Sequence, residues 1–159
     1  MRVSTDDGLF GIIATPLDGK GMFRFQLIVG GTLLGDEQPC ILGSAMYRLR
    51  NLRRLDDAAL SGRAADPETL FASLLSDDAL HDAVVLELAE SLDDWMVVGF
   101  LYGETVFVLA QAYEARSVRT GPVVWSRVPV SHYTAIVETV HSYWVRVNAE
   151  RAYAEQRKD

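Results

Sequence analysis

Cysteine is almost absent from this chain, since Cys40 is the single cysteine among 159 residues. An intramolecular disulfide and a metal site built on paired cysteines are therefore excluded. So low a cysteine content is typical of proteins in a reducing compartment. Long apolar runs are missing as well. The only apolar stretch near the N-terminus, Leu9 to Ala14, is too short for the core of a signal peptide, and nothing approaches a membrane-spanning length. We therefore expect a soluble, cytoplasmic protein.

Recognisable catalytic motifs are also missing. The segment GGTLLGD at 30–36 lacks the Lys-Ser/Thr pair of a phosphate-binding loop, and it is better interpreted as a strand end and turn. His132 and His141 are nine residues apart on one helical segment, so they point in different directions, unlike a zinc-binding pair. The sequence contains no GxSxG nucleophile elbow, and Cys40 is not part of a recognisable catalytic-cysteine motif. The sequence predicts no catalytic residue, no metal site and no cofactor.

Positive charge is scarce in one quarter of the chain. Residues 56–94 carry eleven acidic side chains against Arg63 alone, a net charge of −10, whereas residues 1–55 and 95–159 carry +2 and +1. Such a concentration of charge repels nucleic acid and attracts basic proteins. A solvated, solubilising surface is an equally good interpretation. If the charge serves binding, it favours a protein partner and argues against a nucleic-acid partner.

Alternating apolar residues predict several strands. Phe23, Phe25, Leu27 and Val29 share one face of a strand at about 22–30, which follows another at about 9–15. Two apolar runs between 95 and 112 flank Gly103-Glu104, a pair suited to a type II′ hairpin turn. A further strand is expected at 122–128. Residues 84–89 suit either a strand or a helix, and we favour a short strand.

Helical spacing appears in three places. An apolar stripe with period 3.6 runs from 42 to 55, and arginines occupy the rest of that helix. Asp66, followed by Pro67 and Glu68, predicts the start of a second helix. Ser131 is the predicted N-cap of a long last helix that reaches the 150s. We predict a single α+β domain over 1–159, a mainly antiparallel sheet of about five or six strands packed against helices.

The segment ESLDDWMVVGFLYGETVFVLAQA, which begins at Glu90, resembles part of the small bacterial immunity proteins of polymorphic toxin and contact-dependent inhibition systems. Their acidic-Ser-aromatic-Asp-Asp-aromatic string is matched except that Leu92 replaces the first aromatic residue. FRFQLIVGGTLLGD and VPVSHYTAIVETVHSYW resemble their opening strand and closing helix. Taken alone, Glu90, Asp93 and Asp94 suit a metal or an acid–base pair, but their place just before a strand favours a turn.

The resemblance implies a non-catalytic immunity protein that binds and neutralises a cognate bacterial toxin. Nucleases, whose clefts are basic, are the toxin class that the charge distribution favours. On this hypothesis the acidic segment contacts the toxin, with the partner-binding residues Asp77, Asp78 and Asp82 foremost and Glu87, Asp93 and Asp94 less central. Two alternatives stay open. One is a small cytoplasmic enzyme with a pocket lined by His81 and carboxylates, and the other is a self-associating structural or adaptor protein.

Overall fold

The structure is a computed structural model that describes residues 1–17, 21–61, 66–114 and 118–156. Within these ranges the chain forms nine strands and five α-helices. The α+β class, the mainly antiparallel pairing and the long C-terminal helix are confirmed. The strands are divided between two sheets, however, where the sequence suggested one.

The first sheet is built on a hairpin of two seven-residue strands. The strands Phe10–Pro16 and Phe23–Val29 pair over their whole length, from Phe10 opposite Val29 to Pro16 opposite Phe23, and short antiparallel strands extend both sides. Phe23, Phe25, Leu27 and Val29 are fully buried on one face, as predicted. The strands are β1 (Arg2–Ser4), β2 (Phe10–Pro16), β3 (Phe23–Val29), β4 (Thr32–Leu34) and β5 (Pro39–Cys40).

The second sheet contains the hairpin that the sequence predicted. Its turn is at Gly103, whose φ of 57° lies in the left-handed region that glycine adopts without strain. A third long strand pairs antiparallel with the hairpin, and a two-residue strand pairs parallel with its other edge. The strands are β6 (Arg53–Arg54), β7 (Trp95–Tyr102), β8 (Thr105–Glu114) and β9 (Val118–Pro129), in that order across the sheet.

The helices cover both faces of the second sheet. Three short helices pack on one face, where Phe71, Leu74 and Val84 are buried against Val98 and Phe100. The other face joins a larger core that is shared with the first sheet and with the first and last helices of the chain. The helices are α1 (Leu42–Arg50), α2 (Asp57–Leu60), α3 (Pro67–Leu75), α4 (Asp78–Val84) and α5 (Val130–Gln156).

Local capping explains where some of these helices start. The Asp66 carboxylate accepts a 2.9 Å hydrogen bond from the Thr69 amide at the start of α3, as its sequence pattern predicted. The long last helix begins at Val130, so that Ser131 lies within its first turn and not at the N-cap position. α5 buries Tyr133, Ile136 and Val140, and Trp144 further along is only partly buried.

Two boundaries differ from the sequence-based expectation. The helix expected over 42–55 ends at Arg50, because Arg53 and Arg54 pair with the edge of β7 and Leu55 enters the second core. The strand favoured at 84–89 is wrong. Residues up to Val84 belong to α4, Val85 forms a single bridge with Val98, and residues 86–89 form no regular strand. In the first of these two cases, the apolar stripe over 42–55 continues beyond the end of α1 at Arg50.

Candidate partner-binding groove

The ESLDD segment is a turn that is fixed to the first sheet. Glu90–Leu92 form a 3-10 turn, and the side chain of Ser91 is buried. Ser91 Oγ donates a 2.7 Å hydrogen bond to the carbonyl oxygen of Phe25, and the Asp36 amide donates a 2.9 Å bond to the Ser91 carbonyl. Ser91 is one of the residues that match the immunity-protein string, and its role here is structural, because it holds the turn against β3.

The two aspartates that follow lie at the surface. The Asp93 amide closes the turn with a 3.1 Å bond to the Glu90 carbonyl, and the Asp94 carbonyl accepts a 2.7 Å bond from the Tyr113 amide. Both side chains are exposed. Within the described ranges no three His, Cys, Asp or Glu side chains are grouped as a metal site would require. The turn interpretation of this segment is confirmed.

An open groove lies between this turn, α1 and the end of α4. Its volume is about 480 Å³, and its residues come mainly from the irregular segment that joins α4 to β7. Three carboxylates line it, and the described lining includes no lysine or arginine. An apolar floor with an acidic rim suits a cationic group that carries an aliphatic stem. The lining residues are Ser44, His81, Val85, Leu86, Glu87, Leu88, Ala89, Glu90, Leu92, Asp93, Trp95, Met96 and Val97.

A smaller recess of about 240 Å³ adjoins the groove and shares His81, Val85 and Glu87 with it. Its other lining residues are Arg48 and Asp82. Arg48 lies 3.9 Å from Glu87, whose side chain is 85% exposed. His81 Nδ1 lies 3.2 Å from the carboxylate of Asp82, which is 98% exposed. Ion pairs this exposed contribute little to stability, so their carboxylates remain available to a partner at small cost.

The structure separates the six predicted partner-binding residues into two sets. Asp82, Glu87 and Asp93 line the groove or its adjoining recess. Asp77 instead accepts hydrogen bonds from the Ala79 and Leu80 amides, at 3.0 and 3.2 Å, and caps α4.

Asp78 lies in the first turn of α4 and Asp94 in the turn before β7, and neither lines the groove. Conversely, sequence reasoning left Glu90 and Arg48 out of the candidate partner-binding residues. Glu90 is the acidic residue at the start of the ESLDD segment, and its place beside Asp93 in that segment was the signal that could have identified it. Arg48 is brought there only by the packing of α1.

Cys40 lies under this region and is buried. Burial raises the pKa of its thiol to about 11, and the negative charge of Glu90 adds to the effect. A thiol with so high a pKa stays protonated at neutral pH and is a poor nucleophile.

Comparison with known proteins gives no match to a family model or to a curated protein sequence. Among solved structures, the chain matches the crystal structure of CdiI from Burkholderia dolosa AUO158, with a TM-score of 0.62 and 13% sequence identity. The match covers 90% of this chain and 99% of the CdiI chain. The two chains share a fold. CdiI is an immunity protein of a contact-dependent inhibition system, so the resemblance in the sequence extends to the three-dimensional fold.

No helix in the described ranges is long and apolar enough to cross a membrane.

Proposed function

We propose that this protein is an immunity protein that binds a cognate toxin in the cytoplasm of the producing cell and blocks its activity. The observation that carries the proposal is the shared fold with CdiI over nearly the whole length of both chains. Binding by an immunity protein needs a surface that suits its partner, and no catalytic group is required. The acidic groove supplies such a surface.

The charge of the groove favours a toxin with a basic surface. Glu87, Glu90 and Asp93 face the solvent around an apolar floor, and Asp82 extends the same rim. Charges of one sign around a concave site steer a partner of opposite sign and accelerate its capture. A nuclease is the toxin class that fits best, because its nucleic-acid cleft is basic and the groove presents carboxylates in place of phosphates.

The test uses the toxin domain that this proposal expects a neighbouring reading frame to encode. Cells that express it are expected to survive with the wild-type protein and to die with a variant carrying Asp82→Lys, Glu87→Lys and Asp93→Lys. The wild-type association rate is expected to fall steeply with added salt, because screening reduces steering beyond a Debye length of about 8 Å at physiological ionic strength. Asp77 is left unchanged because its reversal would remove the cap of α4.

A matched control carries Asp6→Lys, Glu104→Lys and Glu155→Lys, which change the net charge equally at exposed sites outside the groove. It is expected to protect cells as well as the wild type does. Full protection by the folded groove variant would place the toxin surface elsewhere. Loss of protection in both variants would show an effect of net charge alone.

One observation favours the alternative that the protein is a small enzyme: His81 and three carboxylates line the same groove. A general base must lie within hydrogen-bonding reach of the proton that it abstracts, in a site that holds the base and the substrate in place. The carboxylate in contact with His81 is that of Asp82, which is 98% exposed and therefore lies outside any enclosed site. His81→Ala distinguishes the two functions. It is expected to weaken toxin binding only in part if the groove binds a toxin, because the carboxylates of the rim remain, and it would abolish activity if His81 were a catalytic base.

A further inference from the structure

α1 is a rigid element at the edge of the groove. Its inner face is fully or almost fully buried, at Leu42, Ala45, Met46 and Leu49. One side is held by α5, where Arg50 Nε forms a 2.8 Å ion pair with Glu138. Side chains on the outer face of such a helix are therefore presented to a partner in a fixed place, and a partner that contacts them orders little additional backbone.

The outer face of α1 carries two large, exposed apolar side chains. At about 100° per residue, Ile41, Ser44, Tyr47 and Arg48 fall within one arc of about 120°. Ile41 is 66% exposed and Tyr47 is 67% exposed. Ser44 and Arg48, between them, line the groove and its recess. The two large side chains therefore flank the groove on its helical wall.

Ile41 also occupies a position where isoleucine is a poor choice. It is the N-cap of α1, its backbone is extended, and its side chain makes no capping hydrogen bond. Serine, threonine, aspartate or asparagine there would satisfy a free amide, and isoleucine ranks among the worst N-cap residues. Neither burial of the side chain nor capping of the helix accounts for an isoleucine at position 41. Departures of this kind from local rules are expected where function has placed a residue.

We propose that the outer face of α1 is the apolar anchor of the toxin-binding surface. Ile41 and Tyr47 pack against apolar side chains of the toxin, while the groove between this face and the Glu87–Asp93 segment receives a lysine or arginine of the toxin. The proposal rests on the immunity function proposed above. Charge complementarity indicates a basic side chain of the toxin as the occupant of the groove, because carboxylates line the groove beside Ile41 and Tyr47. Exposed aromatic residues on rigid elements are frequent hot spots in interfaces, whereas surrounding charges chiefly govern the association rate.

The experiment compares Ile41→Ser and Tyr47→Ala with the wild type for binding to the purified toxin domain from the neighbouring reading frame. Each substitution is expected to weaken binding at least tenfold, through faster dissociation that changes little with salt. Ile41→Ser is also expected to raise the melting temperature, since serine can cap α1. A variant that is more stable and yet binds more weakly separates a binding role from a structural one.

Leu33→Ser and Tyr153→Ala are the matched controls, at exposed apolar sites outside the groove lining, and they are expected to bind as the wild type does. Wild-type affinity in both α1 variants would overturn the anchor while leaving the immunity function in place. Failure of the wild type to bind the toxin domain would overturn both. A wild-type dimer that Tyr47→Ala dissociates, with toxin binding unchanged, would reassign this face to self-association.

Discussion

The indole ring of Trp144 on α5 packs onto α1 at Gly43, where an added Cβ would lie 2.9 Å from ring carbon Cζ2. Glycine is less favourable in a helix than alanine, by at most about 1 kcal/mol, so its presence in the first turn of α1 has a cost. The close approach of the Trp144 ring explains why glycine occupies this position, since any larger residue would contact the ring. This contact helps to fix α1 in the place from which its outer face borders the groove.

The contact predicts a coupled pair of substitutions. Trp144→Ala is expected to lower the free energy of unfolding by about 2 kcal/mol, below the range for a fully buried aromatic because the ring is only partly buried. Gly43→Ala is expected not to stabilise the wild type, since the indole must move. In the Trp144→Ala background it should stabilise by up to about 1 kcal/mol. Urea unfolding of the four proteins gives the coupling, and an equal effect of Gly43→Ala in both backgrounds would contradict the packing.

Ser91→Ala is expected to destabilise the protein by about 1–3 kcal/mol, because the Phe25 carbonyl loses its bond from the buried hydroxyl. Chemical denaturation measures the change. Ser142→Ala, an exposed site on α5, is the control and should change the free energy of unfolding by less than about 0.5 kcal/mol. Similar stabilities for the two variants would show that the turn does not depend on this hydrogen bond.

A pH dependence is expected from the cap of α3. Hydrogen bonds from the backbone amide and the side chain of Thr69 lower the pKa of Asp66 below its usual value of 3.8. A carboxyl group with a depressed pKa in the folded state contributes stability in full above its unfolded pKa, and that contribution is lost as the pH falls through the folded pKa. Stability should therefore decrease on acidification below about pH 4.

Asp66→Asn isolates this contribution, because asparagine caps as well as aspartate but does not titrate. Its free energy of unfolding should depend less on pH between 5 and 2 than that of the wild type, with similar values near neutrality. Thermal unfolding across this range measures the difference. Parallel pH profiles for the two proteins would show that the cap does not supply the acid dependence.

Local sequence patterns determined the long elements of this protein. Phe23, Phe25, Leu27 and Val29 alternate as a half-buried strand must, and they are all fully buried on one face of β3. The turn chemistry of Gly103-Glu104 specified the hairpin of β7 and β8, and Asp66 specified the start of α3. These features depend on neighbours within a few residues, so the chain specifies them without reference to distant segments.

Contacts between distant residues decided the rest. The two-residue strand Arg53–Arg54 forms only because it pairs with β7, which follows more than forty positions later, and no period can be recognised in two residues. The division into two sheets depends in the same way on which edges meet.

The groove likewise exists only because packing brings α1 beside the segment that follows α4, with Arg48 3.9 Å from Glu87. The charge of residues 56–94 could be counted in the sequence. Which carboxylates share a surface and which cap a helix was decided by tertiary packing, since residues distant along the chain become neighbours only when it folds.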